Sequence, residues 1–555
     1  MDSLAIKPVQ YSGQFDKDYI TITPTQEDPQ NKVVVKTLHQ SNSSSTLRNP
    51  PSLRSIVYKA EFNSKSNLSL GSNQNQSELD SQHHATSSSS DSTSTVVENI
   101  EVVVKLEEVT SNIKSDKAVV EKKSPLDSFK SHWLDFLTWF TPYRQIFLVV
   151  VTVNASIVIS IISGALGGPK RDLSLAVILN IFVAIAIRNE WVIRLIYWIF
   201  IKSFRSPKVP IKIRKHIVGI LYHIGGLHSG CGLSALFWLG LSAYRHLKNP
   251  NHFHPVVITL LSISIGCILI TCITATPIFR GKRHDLFEMI HRFIGWLGII
   301  STLVFVILGH LLSRTNPIKN MMDVILDVQF WLMITILFFI ISSWITTRHV
   351  DVECFASSKK ATVVKVPGGL TSGLHTRISR GGLKEWHIFG SISEGKHSNC
   401  HYIVAAVQGE FTGGLNLDQP TRLYTKLWKP AGLPYFSRMF NRGVAICTGS
   451  GIGAVASTCI QHSDWFLIWI GPDLQNTYGS EIMNLIEDKI PTDRRLIWDT
   501  RGPLGRPDVF SLLSKTYKDW NAEVVLFIGS PALNKSVLRS SREHKIPLFG
   551  SIWDA

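Results

Sequence analysis

The sequence predicts a multi-domain protein: a disordered polar tail, a six-helix transmembrane α-bundle, an antiparallel β-barrel and an α/β domain with a parallel sheet. Three observations predict it. Residues 1–124 are crowded with Ser, Asn, Gln and Thr. Six long apolar runs follow between residues 144 and 346. From residue 361 onward, strand-like runs alternate with glycine turns, and from residue 441 with helices as well. The boundaries are therefore tail 1–124, bundle 144–346, barrel 361–440 and nucleotide-type α/β domain 441–555.

In the tail, stretches such as HQSNSSSTLRNPPS and HHATSSSSDSTSTVVE hold too few apolar groups to offset the entropy of ordering. The run IEVVVKLEEV is an isolated β-prone island within it. The start, MDSLAIKPVQY, has no basic region followed by an apolar core, so no secretory signal is expected. The seven cysteines (Cys231, Cys267, Cys272, Cys354, Cys400, Cys447 and Cys459) fall at no metal-site or redox-motif spacing, which predicts neither a zinc site nor a disulfide framework.

A bilayer takes about 20 helical residues to cross, and the expected spans lie near 145–166, 173–201, 216–244, 256–278, 291–312 and 324–345. A net charge of +16 invites a nucleic-acid reading, but much of it sits in short basic runs between apolar segments. The linker KSFRSPKVPIKIRK carries six Lys or Arg and FRGKRHD three, which places both on the cytoplasmic side. With an even number of spans, both termini and the whole carboxyl-terminal half share that side. The expected partner is the lipid bilayer, in an integral, multi-pass arrangement, and not nucleic acid.

Histidines within apolar spans are costly and so informative. The third span carries His216, His223 and His228, and the fifth is introduced by His284 and His291 and ends at His310. Imidazoles on neighbouring helices can ligate a haem iron or bond one helix to another.

After the spans, ATVVKVPGGL, GGLKEWHIFGSIS and CHYIVAAVQGEFTGGL read as barrel strands with glycine turns. GVAI is then a short buried strand, CTGSGIG a turn and AVASTCIQH the start of a helix. In that turn Gly449, Gly451 and Gly453 remove side chains, so backbone amides and a helix amino terminus can approach a pyrophosphate. Further strands, DWFLIWIG, RRLIWDT and AEVVLFIG, each end in a loop rich in Gly, Pro or polar residues, where ligands of open α/β sheets bind.

Together, EWHIFGSIS, GEFTGGL, TGSGIGA, GRPD and the ending FGSIWDA resemble the ferric reductase and NADPH oxidase superfamily, nearest to the TmpA-type fungal membrane flavoproteins and their plant relatives. The resemblance implies a ferredoxin-reductase-like module that binds FAD in the barrel and NAD(P)H in the α/β domain. It implies His387 and Phe389 near the isoalloxazine, Ser391 near the ribityl or phosphate part, and Thr412 and Gly413 at the flavin diphosphate. Gly449, Gly451 and Gly453 correspond to the pyrophosphate loop and Arg506 to the adenosine end. Gly529 and Ser530 stand where the family carries its Cys-Gly-Pro motif, so the cysteine beside the hydride path is replaced. Trp553 corresponds to the terminal aromatic that covers the flavin. His291, with His216 or His223, corresponds to a ligand pair for a haem b.

The implied activity is a membrane-bound, FAD-dependent oxidoreductase that takes hydride from NAD(P)H and passes electrons, by way of at most one haem, to an acceptor the sequence does not name. The second reading is a membrane sensor or signalling scaffold that binds nucleotide and flavin but turns over slowly, which Gly390 and Ser530 in the altered motifs favour. Asp473 after the second strand suits ribose hydroxyls, whereas Arg501 and Arg506 suit a 2′-phosphate, so NADH and NADPH both stay open.

Overall fold

The computed structural model describes residues 125–166, 173–249, 254–312, 321–382 and 384–552. The expected disordered tail and Trp553 lie outside the described residues. The chain opens with α1 (Pro125–Trp139) and α2 (Pro142–Ile162), then α3 (Leu173–Ala186), α4 (Glu190–Phe204), α5 (Ile211–Tyr222) and α6 (Gly225–Lys248). It continues with α7 (Pro255–Thr274), the short α8 (Pro277–Lys282), α9 (His284–Leu311), α10 (Met321–Leu326) and α11 (Val328–Ile345). Among the described residues α2, α7, α9 and α11 are each long and apolar enough to cross a membrane, and α3 with α4 and α5 with α6 qualify only as bent pairs.

Those two bends correct the expectation of six continuous spans. The α3/α4 bend is 76°, and it falls where Asn189 interrupts the apolar run. Its side chain accepts a hydrogen bond from the Trp191 amide at 3.0 Å and donates to Ser342 Oγ at 3.2 Å, so it caps α4 and ties it to α11. The α5/α6 bend is 45° and falls between Tyr222 and Gly225. Beyond each bend the helix leaves the bundle: Tyr197 and Ile201 of α4 and Val218 and Leu221 of α5 are buried in one core with Phe436 and Met439. The bundle keeps its own core, from Val177 and Ile178 on α3 through Trp238 and Leu239 on α6 to Ile336 on α11.

The next seven strands are β1 (Thr347–Asp351), β2 (Glu353–Ser358), β3 (Ala361–Pro367), β4 (His375–Ser379), β5 (His387–Ile392), β6 (Cys400–Ala406) and β7 (Arg422–Lys426), with α12 (Glu410–Asp418) before the last. They form one sheet in the order β1-β7-β4-β5-β6-β3-β2 with every pair antiparallel, so two strands precede residue 361. The remainder alternates β8 (Gly443–Thr448), α13 (Ile452–Gln461), β9 (Trp465–Gly471), α14 (Leu474–Lys489), β10 (Arg495–Asp499), α15 (Val509–Asp519), β11 (Val524–Ile528), α16 (Pro531–Glu543) and β12 (Leu548–Gly550). These five strands are parallel, in the order β10-β9-β8-β11-β12.

The period of two along the central strands fills both faces of the parallel sheet. Ala445 and Cys447 of β8 face α13 and the barrel side, while Val444 and Ile446 face the α15 and α16 side. Continuous apolar strands such as GVAI and WFLIWIG are what burial on both faces requires.

Candidate functional site

Counted from β8 as the first strand, the parallel sheet runs third, second, first, fourth, fifth. Chain connections therefore leave β8 in opposite directions, and the crevice where they part lies at the carboxyl ends of β8 and β11. The glycine loop occupies that crevice. Gly449 has φ of +56°, a backbone conformation only glycine adopts without strain. Its carbonyl accepts from the Trp469 indole at 2.9 Å. A Cβ on Gly451 would stand 2.9 Å from the Ile528 side chain, and one on Gly453 would stand 3.2 Å from the Gly390 carbonyl. The second and third glycines thus let the loop and α13 pack closely against β11 and β5. On the barrel side, a Cβ on Gly390 would lie 2.4 Å from the Ala454 amide nitrogen. Gly390 is therefore where the barrel and nucleotide halves touch.

At the end of β11, a Cβ on Gly529 would fall 2.6 Å from the Phe527 ring and 3.1 Å from Thr448 Oγ1. Ser530 begins α16, exposed, with no capping bond from its hydroxyl. Asp473, at φ +49° beyond β9, is joined to Arg501 beyond β10 at 3.7 Å, so the two residues with opposing nucleotide preferences form one pair. Arg506 is exposed in the loop before α15.

In the barrel, the His387 ring lies 4.1 Å from the Phe411 ring, and Phe389 stacks on Phe411 at 6.2 Å. His387 Nε2 is buried without a hydrogen-bond partner. Ser391 is buried. Its hydroxyl donates to Thr376 Oγ1 at 2.9 Å, which lies 2.8 Å from His401 Nε2. His401 Nδ1 lies 2.5 Å from the Gly368 carbonyl, which can only accept. The proton is therefore on Nδ1, and the Thr376 hydroxyl donates to Nε2. Burial holds His401 down to about 4 and His375 likewise to about 4.

Thr412 and Gly413 are engaged in the first turn of α12. Thr412 Oγ1 accepts from the Gln408 and Gly409 amides at 3.0 and 3.2 Å, and the Gly413 amide donates to the Gly409 carbonyl at 2.8 Å. At these two positions, expected near the flavin diphosphate, the hydroxyl and the Gly413 amide are thus bonded within the turn itself.

The cations missed by the sequence reading gather where the barrel meets α4. Arg377 of β4 pairs with Glu190 at 3.0 Å. Lys429, Lys426 and Arg194 lie within electrostatic reach of the same carboxylate. Burial pulls both lysine ammonium groups down to about 8, against the attraction of Glu190. Lys426 donates to Ser343 O and Thr347 Oγ1 at 2.5 and 2.7 Å and sits over the rings of Trp386 and Trp344 at 4.2 and 4.7 Å. His387 lies below its ordinary value through burial, opposed by Glu288 and Glu385, so the barrel strand faces the start of α9.

About two turns into α9, the ring of His291 faces that of His228 on α6 at 5.9 Å, with the Phe287 ring at 5.3 Å. His216 is exposed on α5, and His223 ends that helix with Nδ1 donating to the Gly219 carbonyl at 2.7 Å. The partner of His291 is accordingly His228 and neither residue expected. The bend before Gly225 restarts the helix, so depth counts from Gly225. His228 Nδ1 donates to the Ala184 carbonyl at 2.8 Å, which leaves Nε2 as a lone pair. His291 Nδ1 is buried without a partner among the described residues.

Residues 433–555 match the domain family described as Adenylate-forming reductase 03009, C-terminal domain. The chain is 32% identical over 433 residues to Adenylate-forming reductase 03009 and 30% identical over 436 residues to Adenylate-forming reductase 06235, both of Coprinopsis cinerea. Each alignment covers 75% of this chain and 40% of the relative, so the chain spans about two fifths of the length of the curated relatives it matches. Among solved structures, phthalate dioxygenase reductase is similar at 13% identity and a TM-score of 0.30, covering 38% of this chain and 69% of that one. A flavohemoglobin from Malassezia yamatoensis with bound FAD and heme is similar at 13% identity and a TM-score of 0.33, covering 69% of this chain and 99% of that one.

Proposed function

We propose that the chain is a membrane-embedded flavin oxidoreductase of the ferric reductase type, in which NAD(P)H docks at the Gly449 loop, hydride passes to FAD, and electrons leave toward the bundle. The observation that carries this reading is the loop's place: it ends the central strand at the switch point of a parallel sheet and lies against barrel strand β5 through Gly453 and Gly390. Similarity over 75% of the chain to two proteins named reductases supports the reaction class.

The chain's own groups fit the two halves of the task. The first amides of α13, one glycine turn beyond β8, suit a pyrophosphate. The orphaned His387 Nε2, beside Phe389 and Phe411, offers a polar atom and apolar ring faces to an isoalloxazine. Arg194, Arg377, Lys426 and Lys429 outnumber Glu190 and give the junction a positive field suited to a diphosphate. Bound flavin would supply the exchange between a hydride and single electrons. His228 and His291 would hold a haem, since each has a ring nitrogen without a protein partner among the described residues, and the haem would supply one-electron exchange there. Both termini and the reductase half then belong on the cytoplasmic side.

Ser450→Glu tests the nucleotide end. Ser450 is half-buried in the loop, so the new carboxylate competes with the pyrophosphate for the α13 amides. The loss of charge-assisted hydrogen bonds worth about 1.5–3 kcal/mol slows NAD(P)H-driven bleaching of the flavin band about tenfold or more, with flavin content unchanged. Equal bleaching in variant and wild type, or a wild type purified without flavin, overturns the proposal.

A further inference from the structure

Helix α1 occupies residues 125–139, where the sequence reading placed no element, and it is two-faced. Ser131, Leu134 and Thr138 recur at helical spacing on one side. There Arg539 of α16 donates from Nη2 to Ser131 Oγ at 2.6 Å and pairs through Nε with Asp135 at 3.0 Å. On the opposite side Phe129, Trp133, Phe136 and Phe140 recur at intervals of four, three and four residues, a single stripe. Trp133 stacks on Phe136 and Phe136 on Phe140, each at 5.4 Å. Among the described residues three of the four rings are exposed, Phe129 at 66%, Trp133 at 50% and Phe136 at 42%, and Phe140 is half-buried.

Apolar rings are stabilised by leaving water, so a row of them exposed is a strong demand for an apolar partner. Its place decides which partner. Only Phe140 and Thr141 separate α1 from α2, and the Arg144 guanidinium of α2 sits over the Trp139 ring at 4.7 Å. If α2 crosses the bilayer, the carboxyl end of α1 is held at the headgroup layer, where amphipathic aromatic rings prefer to be.

We propose that α1 lies in the headgroup layer with Phe129, Trp133 and Phe136 in lipid, while its polar side clamps α16, so that the membrane surface itself seats the nucleotide-binding half. The proposal rests on the reading of α2 as membrane-crossing. The test places the photoreactive residue p-benzoylphenylalanine at Trp133, and separately at Val149, which is 61% exposed on α2. Full-length protein is irradiated in vesicles of phosphatidylcholine and phosphatidylserine, and adducts are read by intact mass spectrometry. Lipid adducts at both positions are expected. Adducts at Val149 without any at Trp133 overturn the proposal and leave the membrane reading standing. No lipid adduct at Val149 removes the membrane reading and the proposal with it.

Discussion

At the scale of single residues, the barrel's most consequential polar group is His401, which no motif in the sequence singles out. It closes a directed chain in which Ser391 donates to Thr376, Thr376 to His401 and His401 to the Gly368 carbonyl. Only the neutral imidazole can both accept and donate, so protonation breaks the chain. The unfolded imidazole binds its proton near pH 6.5, whereas burial holds the folded one down to about 4, and His375 behaves alike. Between those values the unfolded chain carries more protons, so stability present above about pH 6.5 is lost as pH falls toward 4. The thermal midpoint should drop over that window, and His401→Gln should lessen the slope, the remainder belonging to His375 and to other histidines that burial lowers, such as His387 and His462. An unchanged slope would assign the acid sensitivity elsewhere.

At the scale of elements, α5 is anchored by Arg214, which the sequence presented as one of several cations in a basic linker. It is fully buried, donating to both carboxylate oxygens of Glu523 at 3.0 and 3.1 Å and to the Met439 carbonyl at 2.8 Å. Burial works to raise the Glu523 carboxyl, but bonds from Arg214 and the Asn441 amide outweigh it and hold the group below its ordinary range. Surface pairs such as Arg422 with Asp351 are 68% and 80% exposed and contribute about 0–1 kcal/mol. Glu523→Gln instead leaves a buried guanidinium uncompensated and should destabilise the protein by about 3–5 kcal/mol, read as a lowered thermal midpoint. Arg422→Gln should change it little; equal effects would mean the α5 anchor is not held by charge. The strands, the glycine loop and the apolar helices were legible because periodicity and turn chemistry are local. The two bends were not, since they depend on where Asn189 meets α11 and where α4 and α5 find the Phe436 core, contacts far apart in sequence.

Across the whole molecule, the groups that bear chemistry form a line from the glycine loop to the bundle. The loop's α13 touches β5 at Gly390, β5 brings His387 within electrostatic reach of Glu288 on α9, and the next turn of α9 carries His291 opposite His228. Measured along an unbroken third span, His228 lies roughly 18 Å beyond His216, whereas His310 lies roughly 28 Å beyond His291, so those depths differ. Counted from the bend, His246 lies roughly 27 Å beyond His228 and His310 roughly 28 Å beyond His291, so the depths match after all. Depth alone does not make a ligand pair, however. His246 packs against the Phe305 ring at 6.0 Å, and His310 Nε2 is within hydrogen-bonding range of Ser174 Oγ and Gln329 Nε2 at 3.3 and 3.4 Å. On the proposed reading, the pair that would hold an iron is therefore His228 and His291, whose rings face each other at 5.9 Å. Either His228→Ala or His291→Ala should erase the haem bands in a reduced-minus-oxidised spectrum of the purified protein, while His216→Ala and His310→Ala should preserve them. Loss of the bands on replacing His216 would restore the unbroken-span geometry, and a wild type with flavin but no haem bands would end the electron path at the cytoplasmic face.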